Sequence, residues 1–230
     1  PGKNLKEIKS VYDLYKRKKH LKLKYGFNHR YHYSVLKALK IINSKKLGKI
    51  INLKGTYGKS NFGEWKGQEN WRTKKNICGG GILLDQGIHM VDLIRLFAGE
   101  FYDVKSFISN NYWKEEIEDN AYAIMKSEKN IIAFIHSSAT QWEHLFELYI
   151  TLEKGYIILR GFITGSKSYG KETITIGVKQ KNKSIKRSKY QYLKDPSWQL
   201  EVDEFIDSII NNNKIKNGNC EDALKTMSLV

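Results

Sequence analysis

The chain has 230 residues, 40% of them hydrophobic and 12% aromatic, and carries a formal net charge of +16. That composition is typical of a globular protein, excludes intrinsic disorder, and allows one large domain or two small ones with a sizeable core. Since no run of about 18 apolar residues occurs, we expect no membrane-spanning helix and no membrane partner.

The excess positive charge is carried mainly by lysine. Only six of the 40 basic residues are arginine, the residue that is favoured for recognition of phosphates and base edges. The lysines are spread along the chain, and we interpret the denser runs at 16–19 and 179–189 as a solvated helix end and a solvated hairpin loop. We therefore expect no nucleic-acid partner.

The two cysteines, Cys78 and Cys220, lack the spacing of a metal site. The first residues of the chain lack the apolar core of a signal peptide. Together these features predict reduced thiols in a cytoplasmic protein.

The first part of the chain alternates between helical and extended patterns. Apolar residues at helical spacing and alternating residues predict, in chain order, helix 5–19, strand 21–27, helix 32–46 and strand 49–57. A loop over 58–78 then precedes a helix over 81–98. This helix is apolar on most of its circumference, which is typical of a buried helix.

From residue 101 the pattern changes to one strand after another. The predicted strands are 102–110, 119–127, 130–140, 144–153, 155–161 and 172–180. Short connections favour antiparallel pairing, and helices at 197–210 and 220–230 follow. The sequence thus predicts an α+β fold with a large, mainly antiparallel open sheet and helices on one face.

A narrow polar stripe interrupts the apolar surface of helix 81–98. With Asp85 at 0° on a helical wheel, His89 falls at about 40° and Asp92 at about −20°. Two carboxylates and an imidazole on a buried helix are costly unless they are paired or face a cavity, and the second case is typical of a proton-transfer site. A satisfied core histidine between two capping carboxylates is the alternative. A metal site is a third, but no fourth ligand is evident, so we predict no metal.

The stretch 79–92, Gly-Gly-Gly-Ile-Leu-Leu-Asp-Gln-Gly-Ile-His-Met-Val-Asp, resembles a motif of the glucose–fructose oxidoreductase and inositol dehydrogenase (GFO/IDH/MocA) family. Further blocks carry the same resemblance at 26–30, 69–72, 118–121 and 222–224, so that it covers nearly the whole chain. The resemblance implies an NAD(P)-dependent oxidoreductase that acts on a hydroxyl of a sugar, a nucleotide sugar or a cyclitol, with NAD or NADP as cofactor. It also implies a homo-oligomer that pairs its subunits through the open sheet face.

The chain departs from the family pattern in one respect. Family members begin with a Rossmann domain that carries a glycine-rich dinucleotide loop and a Glu-Lys-Pro motif with the catalytic lysine. No Gly-x-Gly-x-x-Gly follows a strand in this chain. We therefore predict that residues 1–28 are the tail of a dinucleotide-binding domain, its last helix and strand. Residues 29–230 are predicted to be a substrate-binding and oligomerisation domain, truncated at its C-terminus and inactive alone.

The resemblance implies roles for eight residues near the motif. Asp85 and His89 form the catalytic pair, in which the imidazole exchanges a proton with the substrate hydroxyl and the carboxylate orients the substrate or the imidazole. The implied substrate-binding residues are Arg30, Trp71, Arg72 and Asp92, and the implied cofactor-binding residues are Gly80 and Gly81. Glycines at a helix N-terminus allow a close backbone approach and favour anions.

Each of these assignments has a plainer alternative. The glycines are also compatible with a flexible turn, and the two arginines with surface ion pairs. Aromatic side chains that suit the lining of a sugar pocket are equally typical of core packing: Tyr57, Trp65, Trp71 and Tyr112. For the chain as a whole, the alternative is a basic, non-catalytic interaction module that uses the open sheet face.

Overall fold

Eight strands of the chain pair in one open sheet. The computed structural model describes residues 1–18, 20–62, 70–164 and 168–230. The strands are β1 (Ile50–Gly58), β2 (Phe101–Ser109), β3 (Asn120–Ser127), β4 (Ile132–Ser138), β5 (Leu145–Leu152), β6 (Gly155–Arg160), β7 (Glu172–Lys179) and β8 (Ile185–Tyr192). Their order across the sheet is β2-β3-β4-β1-β5-β6-β7-β8.

Neighbouring strands in this sheet are antiparallel, apart from the central pair of β1 and β4. In that parallel pair, Gly55 lies opposite Ile135 and Tyr57 lies opposite Ser137. The sheet confirms the predicted mainly antiparallel architecture, and the limits of seven strands agree with the sequence pattern to within about two residues.

Helices cover one face of the sheet. They are α1 (Leu5–Arg17), α2 (Tyr33–Asn43), α3 (Lys75–Cys78), α4 (Ile88–Ala98), α5 (Ser197–Ile210) and α6 (Cys220–Leu229). Helix α4 packs on β1 and β4, and α2 packs on β6 and β7, while α1 and α6 pack against each other behind α4. This arrangement confirms the predicted placement of helices on one face of the sheet.

Glycines allow α4 and the turn before it to approach the sheet closely. A Cβ atom on Gly55 of β1 would lie 2.6 Å from the Sδ atom of Met90, and one on Gly87 would overlap the hydroxyl of Ser137 on β4. Apolar side chains fill the remaining space in this layer, among them Leu53, Leu93, Leu148 and Ile150. The polar residues of the helix that contains Met90 are thereby held at fixed positions over the end of β1.

The opposite face of the sheet is uncovered. Ala133, Ile135 and Ser137 of β4 point inward and are buried, whereas Phe134 and His136 alternate with them on the other face. Large apolar side chains on this open face are exposed in β2, β3 and β4: Phe107, Tyr122, Ile124 and Ile132.

Two sequence predictions of secondary structure are wrong. Residues 22–27 form no strand, because the described chain offers them no parallel or antiparallel neighbour; Tyr25 donates its amide to the carbonyl of Gly218 instead. The second half of the run 179–189 is not a loop but the start of β8, which pairs with β7. An edge strand exposes most of its side chains, so its lysine-rich sequence carries no hydrophobic signal.

Three predicted helices are shorter or less regular than expected. Helix 32–46 is reduced to Tyr33–Asn43, and helix 5–19 ends at Arg17. Helix 81–98 begins with a π-turn over Leu83–Gly87 and becomes α-helical only from Ile88. By length and composition, the helical stretch Lys75–Ala98 is apolar enough to cross a membrane, although 56% of its most apolar window is buried in the fold.

Candidate functional site

A cleft of about 310 Å³ opens where β1, the π-turn and the start of α5 meet. Most of the residues that line it have polar side chains; the lining consists of Gly26, Asn28, His29, His32, Tyr57, Asp85, Gln86, His89, Thr164, Asp195 and Trp198. A larger hollow of about 600 Å³ lies on the other side of the π-turn, but its lining is mainly apolar. The polar cleft is therefore the candidate site, since it gathers the titratable side chains.

The π-turn explains why three polar residues of one helix reach the same cleft. A π-turn widens the helix by one residue, so that Asp85, Gln86 and His89 fan out toward the end of β1. Single π-turns inside α-helices occur frequently at functional sites. The sequence predicted the grouping of Asp85 with His89, and the structure places both on the wall of this cleft.

His89 lies face to face with a second imidazole. Its ring is parallel to that of His29, with ring centroids 4.2 Å apart and an angle of 8° between the planes. The Nδ1 atom of His89 is buried and has no hydrogen-bond partner among the residues that the structure describes. Burial, together with the positive charge of the amino group of Pro1, lowers the pKa of His89 to about 4, and the nearby carboxylate of Asp85 offsets only part of this effect. His89 is thus neutral at pH 7, and its half-buried ring lines the cleft.

Asp85 forms ion pairs with two cations. The Nζ atom of Lys59 lies 2.6 Å from Oδ2, and the Nε atom of Arg72 lies 3.4 Å from Oδ1. The Arg72 guanidinium also lies over the ring of Trp71, 4.5 Å from its centroid. Trp71, Arg72 and Asp85 line a hollow of about 190 Å³ next to the cleft. The structure therefore brings these three sequence-predicted residues together and adds Lys59, which the sequence analysis missed.

Arg30 and Asp92 do not face the cleft. The Arg30 guanidinium donates two hydrogen bonds to Asp92, at 2.7 and 2.6 Å, and a third to Asp222 at 2.9 Å. Arg30 is 5% exposed and Asp92 is fully buried. Burial alone would lower the pKa of Arg30, but the two carboxylates raise it above its usual value. Arg30 and Asp92 thus form a buried ion pair, where the alternative placed Arg30 in a surface pair, and a substrate contact of either residue stays a prediction from the sequence.

The ion pair of Arg30 and Asp92 belongs to a larger set of satisfied polar groups. The hydroxyl of Thr226 lies 3.4 Å from Asp92 Oδ1, and Arg95 donates to that hydroxyl at 2.6 Å. The guanidinium of Arg95 also donates two hydrogen bonds to the carboxylate of Glu100, at 3.0 and 2.8 Å. This network fastens α4 to α6.

At Gly81 the backbone closely approaches another part of the chain, Glu118. A Cβ atom there would lie 2.7 Å from the carboxylate of Glu118. That carboxylate accepts the amides of Gly81 at 2.8 Å and of Leu83 at 3.2 Å, which fills the anion position at the start of the helix. The amide of Gly81 is thus occupied within the chain, and a cofactor contact of Gly81 stays a prediction from the sequence. Gly80 lies beside Trp71 and Asp85 in the smaller hollow, where its cofactor role stays a prediction.

Several further polar groups of the cleft were not singled out from the sequence. His29 bonds Asn28 and Tyr57, and Gln86 donates to the hydroxyl of Tyr169 while its own Oε1 is buried without a partner in the described chain. Burial raises the pKa of Tyr169 to about 12. The resemblance block at 26–30 was the only signal that pointed toward His29.

The other aromatic candidates divide between cleft and surface. Tyr57 lines the cleft, whereas Tyr112 packs against Trp113 and Trp142 outside it. Trp65 and Glu69 lie outside the described residues. Within residues 1–18, 20–62, 70–164 and 168–230, no three histidine, cysteine or acidic side chains are arranged to hold a metal ion.

Comparisons with known proteins agree with this geometry. Residues 35–158 match the family model of the GFO/IDH/MocA C-terminal domain. A levoglucosan dehydrogenase of Pseudarthrobacter phenanthrenivorans is 34% identical over 107 residues, which are 45% of this chain and 26% of that protein.

Solved structures of similar fold have low sequence identity. Levoglucosan dehydrogenase in complex with NADH and levoglucosan superposes with a TM-score of 0.82 at 18% identity, over 98% of this chain and 66% of that one. An aldose–aldose oxidoreductase from Caulobacter crescentus gives a TM-score of 0.80 at 18% identity, over 99% of this chain and 64% of the other. This chain thus spans about two thirds of the length of these structures, and it belongs to the GFO/IDH/MocA family through the C-terminal domain of that family.

Proposed function

We propose that this chain supplies the substrate site of an NAD(P)-dependent oxidoreductase that acts on a hydroxyl of a sugar, a nucleotide sugar or a cyclitol. The observation that carries the proposal is the pairing of a neutral His89, whose Nδ1 has no partner in the described chain, with an Asp85 carboxylate fixed by two cations. A neutral imidazole accepts a proton, and a fixed carboxylate orients a donor hydroxyl. Levoglucosan dehydrogenase, a similar protein, is named for a sugar substrate of this kind.

On the proton side of the reaction, His89 accepts the proton of the substrate hydroxyl. The hydride that the same carbon loses on becoming a carbonyl would be taken by the oxidised nicotinamide, whose binding lies outside this chain. Asp85 accepts a hydrogen bond from a hydroxyl of the substrate and so positions it. Lys59 and Arg72 pair with Asp85 and hold its carboxylate in place. Trp198 and Asp195 offer an aromatic face and a carboxylate at the α5 side of the cleft, which suits a small polyhydroxylated ligand.

The described residues do not form a dinucleotide cradle. The sequence contains no Gly-x-Gly-x-x-Gly after a strand, and the amide of Gly81 is taken by Glu118. We therefore derive no step through the nicotinamide and assign its binding to a Rossmann domain outside this chain. In this proposal residues 1–28 are the tail of that domain and residues 29–230 are the substrate domain. Below, the complete enzyme means this chain joined to that domain.

We further propose that the open sheet face pairs two copies of the chain, in a cytoplasmic protein with no nucleic-acid or membrane partner. Exposed Phe107, Tyr122 and Ile124 give this face apolar content that favours burial, and a two-fold pairing closes it most simply. The two cysteines are free thiols. Light scattering should give twice the mass of the subunit, and a subunit mass of 26.8 kDa at all micromolar concentrations would contradict the pairing.

The experiment that tests the proposed function has two arms. In the first, the complete enzyme is mixed with NAD⁺ or NADP⁺ and a panel of aldoses, anhydrosugars, nucleotide sugars and cyclitols, and reduction of the nicotinamide is followed by absorbance. We expect reduction with at least one member, and none without it. In the second arm, calorimetry on this chain alone should show no micromolar binding of either cofactor. A folded complete enzyme without turnover on any substrate, or tight cofactor binding by the chain alone, would contradict the assignment.

A further inference from the structure

We propose that His29 is a positioning residue for His89, fixed in one neutral tautomer by a chain of hydrogen bonds that starts at the hydroxyl of Tyr57. This inference rests on the proposed function, because it concerns the imidazole that accepts the substrate proton. The structure assigns to His29 no direct contact with the reacting hydroxyl; its role is to fix the plane of the ring that makes that contact.

The hydrogen bonds around His29 have a single consistent direction. The amide nitrogen of Asn28 lies 3.3 Å from the hydroxyl of Ser197, so the Oδ1 atom of Asn28 is left to accept from His29 Nδ1 at 3.1 Å. His29 must then carry its proton on Nδ1. Its bare Nε2 lies 3.0 Å from the hydroxyl of Tyr57, which donates to it.

The surroundings of His29 favour this neutral form. The residue is 6% exposed, and burial holds its pKa well below the ordinary value. Burial also raises the pKa of Tyr57, so the phenol keeps the proton that it donates. Both nitrogens of His29 are thus occupied, and its ring has no hydrogen bond to gain by turning.

The fixed ring of His29 forms one wall against which His89 rests. The two imidazoles are parallel at 4.2 Å, and the ring of Phe27 meets His89 edge-on with centroids 6.3 Å apart. Packing from two sides restricts the rotation of the His89 ring. The Nδ1 atom of His89 has no hydrogen bond to orient the ring in the described structure. The contact with His29 therefore fixes the orientation of the His89 ring, as a hydrogen bond would ordinarily do. Misplacement of a catalytic group can lower the rate by up to about 100-fold.

The kinetic test uses variants of the complete enzyme. Tyr57→Phe keeps the ring and removes the donor, and we expect kcat to fall about 3- to 10-fold with KM within about twofold. His29→Ala removes the wall and should lower kcat about 10- to 100-fold, whereas His29→Phe restores the ring and recovers part of that loss. Tyr57→Phe should have no further effect in the His29→Phe background, because the acceptor is already absent. Tyr190→Phe, on the exposed edge strand, is the matched control and should leave both constants unchanged.

The second readout is independent of activity and uses this chain alone. Nitrogen-15 spectra of histidine-labelled protein should show His29 as a single species with its proton on Nδ1, and a mixture of tautomers in Tyr57→Phe. A mixture in the wild type overturns the inference. A Tyr57→Phe enzyme with wild-type kcat also overturns it, and so does a Tyr57→Phe enzyme in which KM changes as much as kcat. A single tautomer together with a wild-type complete enzyme that turns over no substrate overturns the proposed function instead, and the catalytic role of His29 with it.

Discussion

Two polar clusters contain residues of one helical segment of this protein and differ in how fully their groups are satisfied. The reactive cluster, Asp85 and His89, faces a cleft, and His89 keeps a buried nitrogen without a partner in the described chain. The structural cluster, Arg30 and Asp92, is buried, and each charged atom is paired. Side chains that are less than two turns apart on one stripe thus have opposite environments. What separates them is the element that packs opposite each one.

The comparison shows what a helical wheel can and cannot establish. The wheel places Asp85, His89 and Asp92 on one side of the helix, because residues three or four positions apart in a helix lie on the same face. Asp92 pairs with the guanidinium of Arg30, which lies 62 residues earlier in the chain, and no periodicity in the sequence predicts that partner. A carboxylate with such a partner is structural, whereas one that lies at a cleft is available for chemistry.

The largest expected effect is on turnover. His89→Ala in the complete enzyme should lower kcat by about 10²- to 10⁴-fold, because it removes the proton acceptor. Cofactor affinity should change little, and turnover is measured per folded molecule because removal of the packed ring also lowers stability. His20→Ala, at an exposed position, is the matched control. A kcat within a few-fold of wild type would remove His89 from the mechanism.

The next effect is on stability. Arg30→Ala leaves Asp92 buried without its partner and should lower the unfolding free energy by about 3–5 kcal/mol, measured in urea. Glu147→Gln breaks an exposed ion pair with Arg160 and should cost less than about 1 kcal/mol. Equal losses in both variants would show that the Arg30 network is not a structural anchor.

Local patterns were sufficient for most of the fold. The limits of α5, Ser197–Ile210, follow from a proline start signal and an apolar stripe. Strand β5, Leu145–Leu152, alternates strictly between buried and half-buried residues, and that alternation is visible in the sequence. Such elements can be predicted from the local sequence, because burial of one face imposes a regular spacing of apolar residues.

Features that depend on distant partners could not be predicted. Gly81 looked like a ligand contact because its neighbour, Glu118, lies 37 residues away in the sequence. Residues 21–27 alternate like a strand but meet no neighbouring strand in the described chain. Lys59 follows β1 without any motif, and only the fold brings it to Asp85. The chemistry of the site was thus predictable from residue types, whereas its electrostatic partners were not.

A smaller effect should appear in the dependence of stability on pH. The pKa values of His29 and His89 lie below the unfolded value of about 6.5, so the unfolded chain binds more protons than the folded one at acidic pH. Stability is then complete above pH 6.5 and falls as the pH drops from there toward 4, by at most about 1.4 kcal/mol per unit for each group. Urea titrations should show a shallower fall in His89→Asn. An identical slope in wild type and variant would contradict a neutral, buried His89.

The most direct test compares Asp85→Asn with Asp92→Asn, two identical substitutions on one helical segment. For each variant of the complete enzyme, the unfolding free energy and the turnover per folded molecule are measured. Asp85→Asn should lower turnover by about 100-fold or more and leave the unfolding free energy within about 1 kcal/mol of wild type. Asp92→Asn should lose about 3 kcal/mol of stability and keep turnover within about threefold. The reverse pattern, or equal effects of both substitutions on both quantities, would contradict the division into a reactive and a structural cluster.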